Sequence, residues 1–513
     1  MFKRLFVSGT SACFELENKN PYYSPKSYKI ILNGEELEGE HDTNVFSLFN
    51  LEPSTRYTVQ TTADDCKISF VTSYETGVIN VKELGAAGDG ESDDTYFVQL
   101  AIDICPKGGR VLLEEGTYLV RPIVLKSDIT LELKKGATLL GDVSEEHYPK
   151  IPARVYVDGR EKVMATWEGE PFDCHQSFIS AYNQSNIKVV GEGTINGNAD
   201  NSTWWATPKG RKVARPRLVF LNGCKNVYFH GVTCKNSASW NLHPFFSQNL
   251  GFYDLNIENP YTGPNTDGLD PESCDGVKII GCRFSVGDDC CAIKSGKLYM
   301  GKTYKTPASN HTLRNDLFQN GHGAIVLGSE MSGGVKNLSV SQCVFKHTDR
   351  GLRIKTRRGR GKDGIIDGVE FENIKMINVI TPFVINMYYY CDPDGHTEYV
   401  WSRDKNTPVD EGTPYLGEFL FRDIECTDCE CMAGYFDGLV EQPIKKIVLE
   451  NVSFSFKEDA KPFVPAMLEN VREYCKEGLY LDNVESLVLK NVTFNGVEGE
   501  EIINKNCKEV IKE

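Results

Sequence analysis

Several things are scarce in this sequence, and each scarcity narrows what the chain can be. No apolar run approaches the ~20 residues that a membrane-spanning helix needs. The start, Met1-Phe2-Lys3-Arg4-Leu5-Phe6-Val7, is basic, yet its apolar stretch is too short for a secretory h-region and soon meets Glu15 and Glu17. The expectation is a mature N-terminus and a cytoplasmic location. Paired cysteine spacing is also lacking: the 17 cysteines are odd in number and form no disulfide framework. Cys426, Cys429 and Cys431 cluster without histidines nearby, so a metal centre is not expected, and the thiols read as small core hydrophobes. Positive charge is short as well. A formal net charge of −16 argues against nucleic acid or anionic membrane as partner.

What is present points to repetition. At 513 residues the chain exceeds one ordinary compact core, whereas an elongated repeat domain with a small module fits. Residues 1–75 read as a separate β module, with short alternating runs such as Tyr28-Lys29-Ile30-Ile31-Leu32 broken at Asn33-Gly34 and Pro53-Ser54. Its stretch Leu51-Glu52-Pro53-Ser54-Thr55-Arg56-Tyr57 resembles the tyrosine corner of fibronectin type III domains, in a shortened β-sandwich. The module is either a packing appendage, the favoured reading, or a docking module for substrate or partner.

Beyond Val78 short strand-like segments recur, each with Asn or Gly at a bend. Examples are Ile187-Lys188-Val189-Val190-Gly191, Val227-Tyr228-Phe229-His230-Gly231 and Val277-Lys278-Ile279-Ile280-Gly281. Neighbouring copies are ~23 to ~35 residues apart, a solenoid period, and helical periodicity is nearly missing. One coil cannot bury its own apolar face, so the coils must stack. The expected fold is all-β: a right-handed parallel β-helix over residues 76–513 behind the N-terminal module. A β-propeller would need antiparallel hairpins, whose turn residues are scarce here. After the segment from Leu84 to Thr95, the run with Phe97, Leu100, Ala101 and Ile104 reads as an amphipathic helix covering the open end. Asp93 or Asp94 would cap it, a structural rather than catalytic use of an Asp-Asp pair.

Four short motifs follow one another at about one coil each: Asn265-Thr266-Asp267-Gly268, Gly287-Asp288-Asp289-Cys290, Gly321-His322-Gly323 and Arg353-Ile354-Lys355. Coils stack ~4.8 Å apart, so these side chains can converge on one face. Three carboxyls so close raise one another's pKa, and at least one should hold a proton near neutral pH. That suits glycoside hydrolysis, which needs one carboxylic acid and one carboxylate. A histidine between two glycines can approach the acids and tune them. From Arg350 to Lys362 run seven Arg and Lys residues with no acid among them. In a strand Arg353, Lys355 and Arg357 share one side, opposite Ile354. This row reads as a cradle for substrate carboxylates, or alternatively as a set of salt bridges to the acids.

In this order and at this spacing the motifs resemble those of glycoside hydrolase family 28, the polygalacturonases. Gly193-Thr194-Ile195-Asn196-Gly197 and Ser239-Trp240-Asn241-Leu242-His243-Pro244 extend the likeness over roughly residues 78–500. The resemblance implies hydrolysis of α-1,4-linked galacturonic acid chains with inversion. Asp288 would be the general acid, Asp267 and Asp289 the pair that activates water, and His322 a supporting residue. Arg353, Lys355 and Asn265 would bind substrate. An aromatic residue near the cleaved sugar matches Tyr388 or Tyr389, with Tyr388 carried as the candidate. No cofactor is implied, and the partner implied is an oligogalacturonide or pectic substrate. The extra N-terminal module, and Gly287 where many members carry Gln, depart from the simplest family pattern. The glycine variant also occurs in the family, and the overall similarity, N-terminal module included, resembles bacterial exo-acting members. Insertions near residues 143–174 (Arg154, Arg160, Lys162, Trp167) and 391–415 (His396, Trp401, Arg403, Lys405) would wall one end of the cleft and favour exo action. A rhamnogalacturonan hydrolase, a pectate lyase and a non-catalytic β-helical carbohydrate-binding protein are the alternatives.

Overall fold

The computed structural model describes residues 1–513, apart from the side chains of Asp64 and Asp65. From Val78 to Lys512 most strands join one 29-stranded sheet in which each coil pairs in parallel with the next, and Ile123–Val124, Ile179–Tyr182, Val219–Asn222 and Leu242–Phe245 stack in a second, four-stranded parallel sheet. Lys188 pairs with Tyr228, Tyr228 with Gly251, Gly251 with Lys278 and Lys278 with Thr312. The result is a parallel β-helix. Its interior is one continuous apolar cluster from Val81 to Leu489, built from residues that alternate inward on each short strand.

The bends have a local cause. Asn186, Asn226, Asn249, Asn310 and Asn337 all take left-handed backbone conformations with φ between 52° and 59°, a region that Asn tolerates and most residues avoid. Stacked at the same corner, the amides bond along the axis: Asn249 Nδ2 donates to Asn226 Oδ1 (2.7 Å), and Asn226 Nδ2 to Asn186 Oδ1 (2.9 Å). The Asn at each bend thus sets a turn and ties it to its neighbour.

One end is covered by the helix Thr95–Ile104. Its buried face is Val98, Ala101 and Ile102, whereas Ile104 is exposed. Asp94 occupies the N-cap position without a side-chain cap bond. Its carboxylate instead accepts the N–H groups of Ala87 (2.7 Å) and Gly88 (2.9 Å), and Asp93 accepts the Thr95 N–H (3.0 Å). The acidic pair is structural, but the capping geometry expected of Asp94 is replaced by a clasp on the preceding loop.

The N-terminal segment forms a three-stranded antiparallel sheet, Phe2–Val7, Ala12–Leu16 and Val45–Leu48, and a four-stranded one that includes Ile30–Leu32 and Arg56–Thr61. They enclose Phe2, Phe14, Phe46, Val59 and Phe70. The Tyr57 hydroxyl accepts the Glu52 N–H at 2.9 Å. This module is bolted to the flank of the solenoid. Glu15 accepts from Arg314 Nε (2.6 Å) and Nη2 (2.8 Å), and Phe6 stacks on Tyr253. Most cysteines are buried, Cys426, Cys429 and Cys431 among them.

Candidate active site

The site sits on one face of the coils, where outward positions of successive strands line up. In the strand Arg350–Lys355, Leu352 and Ile354 point into the core and Arg353 and Lys355 point out. On the preceding coil Val326 pairs with Arg353 and Gly328 with Lys355. Glu272 bridges to Lys294 one coil further back. Lys294, Arg353 and Lys355, together with loop residues, line a cavity of about 400 Å³, the size of a small-ligand pocket.

The cavity brings together Asp267, Asp288, Asp289, His322, Arg353, Lys355 and Asn265. Carboxylate oxygens of the three aspartates lie within 4.8 Å of one another. Close backbone approach makes this convergence: the His322 N–H donates to the Asp288 carbonyl (3.0 Å), and the Cys290 N–H to the Gly323 carbonyl (2.9 Å). A Cβ at Gly321 would stand 2.5 Å from Cys290 Sγ and 2.8 Å from the Asp288 carbonyl oxygen, so only glycine fits there.

The three acids have different surroundings. Asp289 Oδ2 accepts from Lys355 Nζ at 2.7 Å, and Oδ1 from Arg353 Nη1 at 3.1 Å. Burial alone would push Asp289 up, but Lys355 and Arg353 overcome it and hold the carboxyl well below its usual range. Asp288 is raised, by burial first and then by the charge of Asp289, against the opposing pull of His322, Lys355 and Arg353. Asp267 is also raised, by burial, Asp270 and Asp288, with Lys294 opposing. One acid is therefore ionised, and its two neighbours compete for protons. His322 Nδ1 bonds Asp349 Oδ2 at 2.9 Å; this bond raises the histidine's pKa and favours an imidazolium facing Asp288.

Three expectations need correction. Tyr388 does not reach the cavity: it is 1% exposed, packs in the core and lies against Arg403 (4.2 Å). Tyr389 lines the cavity instead, because adjacent residues beyond the strand Thr381–Asn386 face opposite ways. The cation row is not one open cradle. Only Arg350, Arg353 and Lys355 line the cavity. Arg357 binds Asp392 and Asp394, Arg358 binds Glu441, Arg360 binds Asp392 and Lys362 binds Glu411. Those acids come from distant segments and were invisible in the run itself. Finally, the insertions do reach the cavity, but through Glu168, Cys391 and Asp392 rather than the cations and aromatics expected to do so. Trp167 stacks on Trp240 at 6.2 Å, and Arg403 is tied to Asp437 and Asp482.

Sequence reading missed Lys294, Glu330, Asp349 and Met467, all on the cavity wall. Lys294 had a signal: Ile293-Lys294 repeats the inward-outward pattern of Ile354-Lys355 on the face that carries the acids. Met467 had none, since its loop arrives from the far end of the chain and sets Met467 Sδ 3.1 Å from Arg353 Nη2.

The family model for glycosyl hydrolases family 28 matches residues 126–400. A probable polygalacturonase of Vitis vinifera is 30% identical over 389 residues, 74% of each chain. An endo-polygalacturonase of Pectobacterium carotovorum is 32% identical over 314 residues, 58% of this chain and 73% of that one. In fold the chain is similar to the family 28 exopolygalacturonase of Yersinia enterocolitica, with a TM-score of 0.73 at 21% identity, covering 100% of this chain and 98% of the other. With the acids, the cationic floor and the β-helix in place, these matches establish that the chain belongs to glycosyl hydrolase family 28.

Proposed function

We propose that the protein hydrolyses α-1,4-linked galacturonic acid chains by a single inverting displacement. The observation that carries this reading is that adjacent carboxyls, Asp288 and Asp289, are driven in opposite directions within one cavity. Asp288, raised and accessible, protonates the leaving oxygen. Asp289, fixed as an anion, and Asp267 across from it activate the water. His322, as an imidazolium, stabilises Asp288 once its proton has left. Arg353, Lys355 and Arg350 present cations where a uronic acid carboxylate would lie. Asn265 is held by Arg215, whose Nη2 donates to its Oδ1 at 2.6 Å, and Tyr389 offers the ring beside the sugar.

The carboxyl oxygens approach to within 4.8 Å, closer than the ~6.5–9.5 Å spacing common to inverting pairs. Inversion is therefore supported by family membership, and the first product decides it. Proton NMR of fresh oligogalacturonide digests should show the β-anomer first; initial α-anomer would refute single displacement.

We also propose exo action, with the N-terminal module, fibronectin-like at its Tyr57 turn, as a packing support. Glu168, Lys209, Cys391, Asp392 and Met467, all from loops outside the regular strands, crowd the cavity, which suits a pocket for a chain end. Polygalacturonate should release monomer or dimer from the outset while viscosity falls slowly. A rapid viscosity drop with a ladder of intermediate oligomers would establish endo action.

A further inference from the structure

Beneath Asp267 lies a second group of ionisable side chains that the reaction described above leaves unused. Lys294 is buried, and its Nζ stands 3.7 Å from Asp267 Oδ2, 3.7 Å from Asp270 Oδ1 and 3.4 Å from Glu330 Oε2. The Trp240 ring closes the remaining side at 4.2 Å. One cation thus faces three carboxyls, and the three are not equivalent.

Glu330 has other cations. Burial pushes it up, but Lys294, Lys297, Lys355 and Arg360 bring it down to about 2. It is an anion at any working pH. Asp270 is the opposite case. It is fully buried, and among the described residues neither of its oxygens has a hydrogen-bond partner. A carboxylate stripped of water and without donors is strongly disfavoured, and burial raises Asp270 to about 8, with Asp289, Glu330 and Asp288 adding to the rise against Lys294. Glu272, two residues away, is similarly raised to about 8 and meets neutral His243 at 3.0 Å.

Among the described residues, Asp267 has one cation within 4 Å, and that cation is Lys294. It also faces Asp270, Asp288 and Asp289, with Arg215 further off. Asp267 and Asp288 compete for a proton, and the chemistry requires it on Asp288. We propose that Lys294 is a positioning residue that holds the negative charge of the Asp267–Asp288 pair on Asp267, and that Asp270 is a proton-bearing spacer that keeps a third anion off the same ammonium. The inference rests on Asp267 acting with Asp289 on the water.

The geometry carries this because Lys294 is equidistant from Asp267 and Asp270. If both were ionised, each would weaken the other's hold on the cation and raise the other's pKa. A neutral Asp270 leaves Lys294 to Asp267 and Glu330. The coil register fixes the arrangement: Glu272, beside Asp270, bridges directly to Lys294.

The test is the pH profile of kcat/KM on oligogalacturonide for wild type, Lys294→Met, Asp270→Asn and Glu330→Gln. Lys294→Met should move the ascending limb to higher pH by about one unit or more, as expected on losing a close counter-ion. Glu330→Gln should move it lower, since Lys294 then serves Asp267 alone. Asp270→Asn, which replaces one neutral group by another, should leave the limb in place below pH 7. A Lys294→Met enzyme with reduced activity but a wild-type limb would make Lys294 merely structural and overturn the proposal. If Lys294→Met does not fold, Glu330→Gln still decides: an unmoved or raised limb overturns it. Carbon-13 NMR of aspartate-labelled protein reads Asp270 without any activity. Asp270→Asn should remove one carboxyl that is protonated at pH 7, and an unchanged count overturns the spacer. Wild-type protein inactive on every uronic acid polymer would instead defeat the functional reading, and is recognisable before any variant is made.

Discussion

Lys355 donates from Nζ to Asp289 Oδ2 at 2.7 Å, and that bond holds Asp289 low while its sequence neighbour Asp288 is raised. Asp289 keeps its charge because Lys355 and Arg353 stand on it. Asp288, one residue away, is raised by its burial and then by that fixed charge.

Replacing Asp288 by Asn should leave the fold intact and remove nearly all hydrolysis, since an amide cannot protonate the leaving oxygen. General acid assistance is worth on the order of 10²–10⁴ in rate, and the loss should fall on kcat rather than KM. Activity within tenfold of wild type would show that Asp288 is not the acid.

Lys355→Ala should raise KM by leaving a substrate carboxylate unpaired, and it should also alter the pH profile. The sign follows from the environment. Lys355 is the foremost of the groups that lower Asp289, so its removal raises Asp289, and activity should be lost at a higher pH on the acid side. Tight oligogalacturonide binding together with an unmoved acid limb would contradict both roles.

Tyr388 and Tyr389 should part company on mutation. The Tyr388 hydroxyl is buried and has no hydrogen-bond partner among the described residues. Tyr388→Phe should therefore cost little or stabilise slightly in thermal melts, because an unsatisfied polar group is removed. Tyr389→Ala, on the cavity wall, should reduce kcat/KM by about tenfold or more. Equal activity losses from both variants would mean the cavity wall is misassigned.

The N-terminal module should contribute to the stability of the whole chain. Glu15 is 2% exposed and binds both Arg314 and Asn315. Truncating one partner of a buried ion pair costs roughly 3–5 kcal/mol, so Glu15→Ala should lower the melting temperature and make the module the first site of proteolytic cleavage. An unchanged melt would show that the apolar contacts of Phe6 with Tyr228 and Tyr253 suffice.

The solenoid was legible because its cause is local and repeated. Each coil carries inward aliphatic residues at period two and an Asn or Gly at the left-handed corner, and stacking such segments in parallel buries them all. The chemistry was legible for the same reason. The motifs that carry Asp267, Asp288 with Asp289, His322, and Arg353 with Lys355 occur once per coil, and stacked coils must bring once-per-coil motifs together. What sequence could not supply were the partners that arrive across long separations. Asp392, Asp394, Glu411 and Glu441 neutralise the row after Lys355, and nothing inside that row announces them.

By itself, then, the order of residues determined the parallel coils, their axis and which short motifs share a face, because backbone hydrogen bonding and burial act coil by coil. The tertiary structure alone decided how charge is distributed on that face: which cations stay on the cavity wall, which tyrosine turns toward it, and where Lys294 divides its charge. Those outcomes depend on distances of a few ångströms between side chains far apart in the chain, and Coulomb energies and desolvation change most steeply over that range.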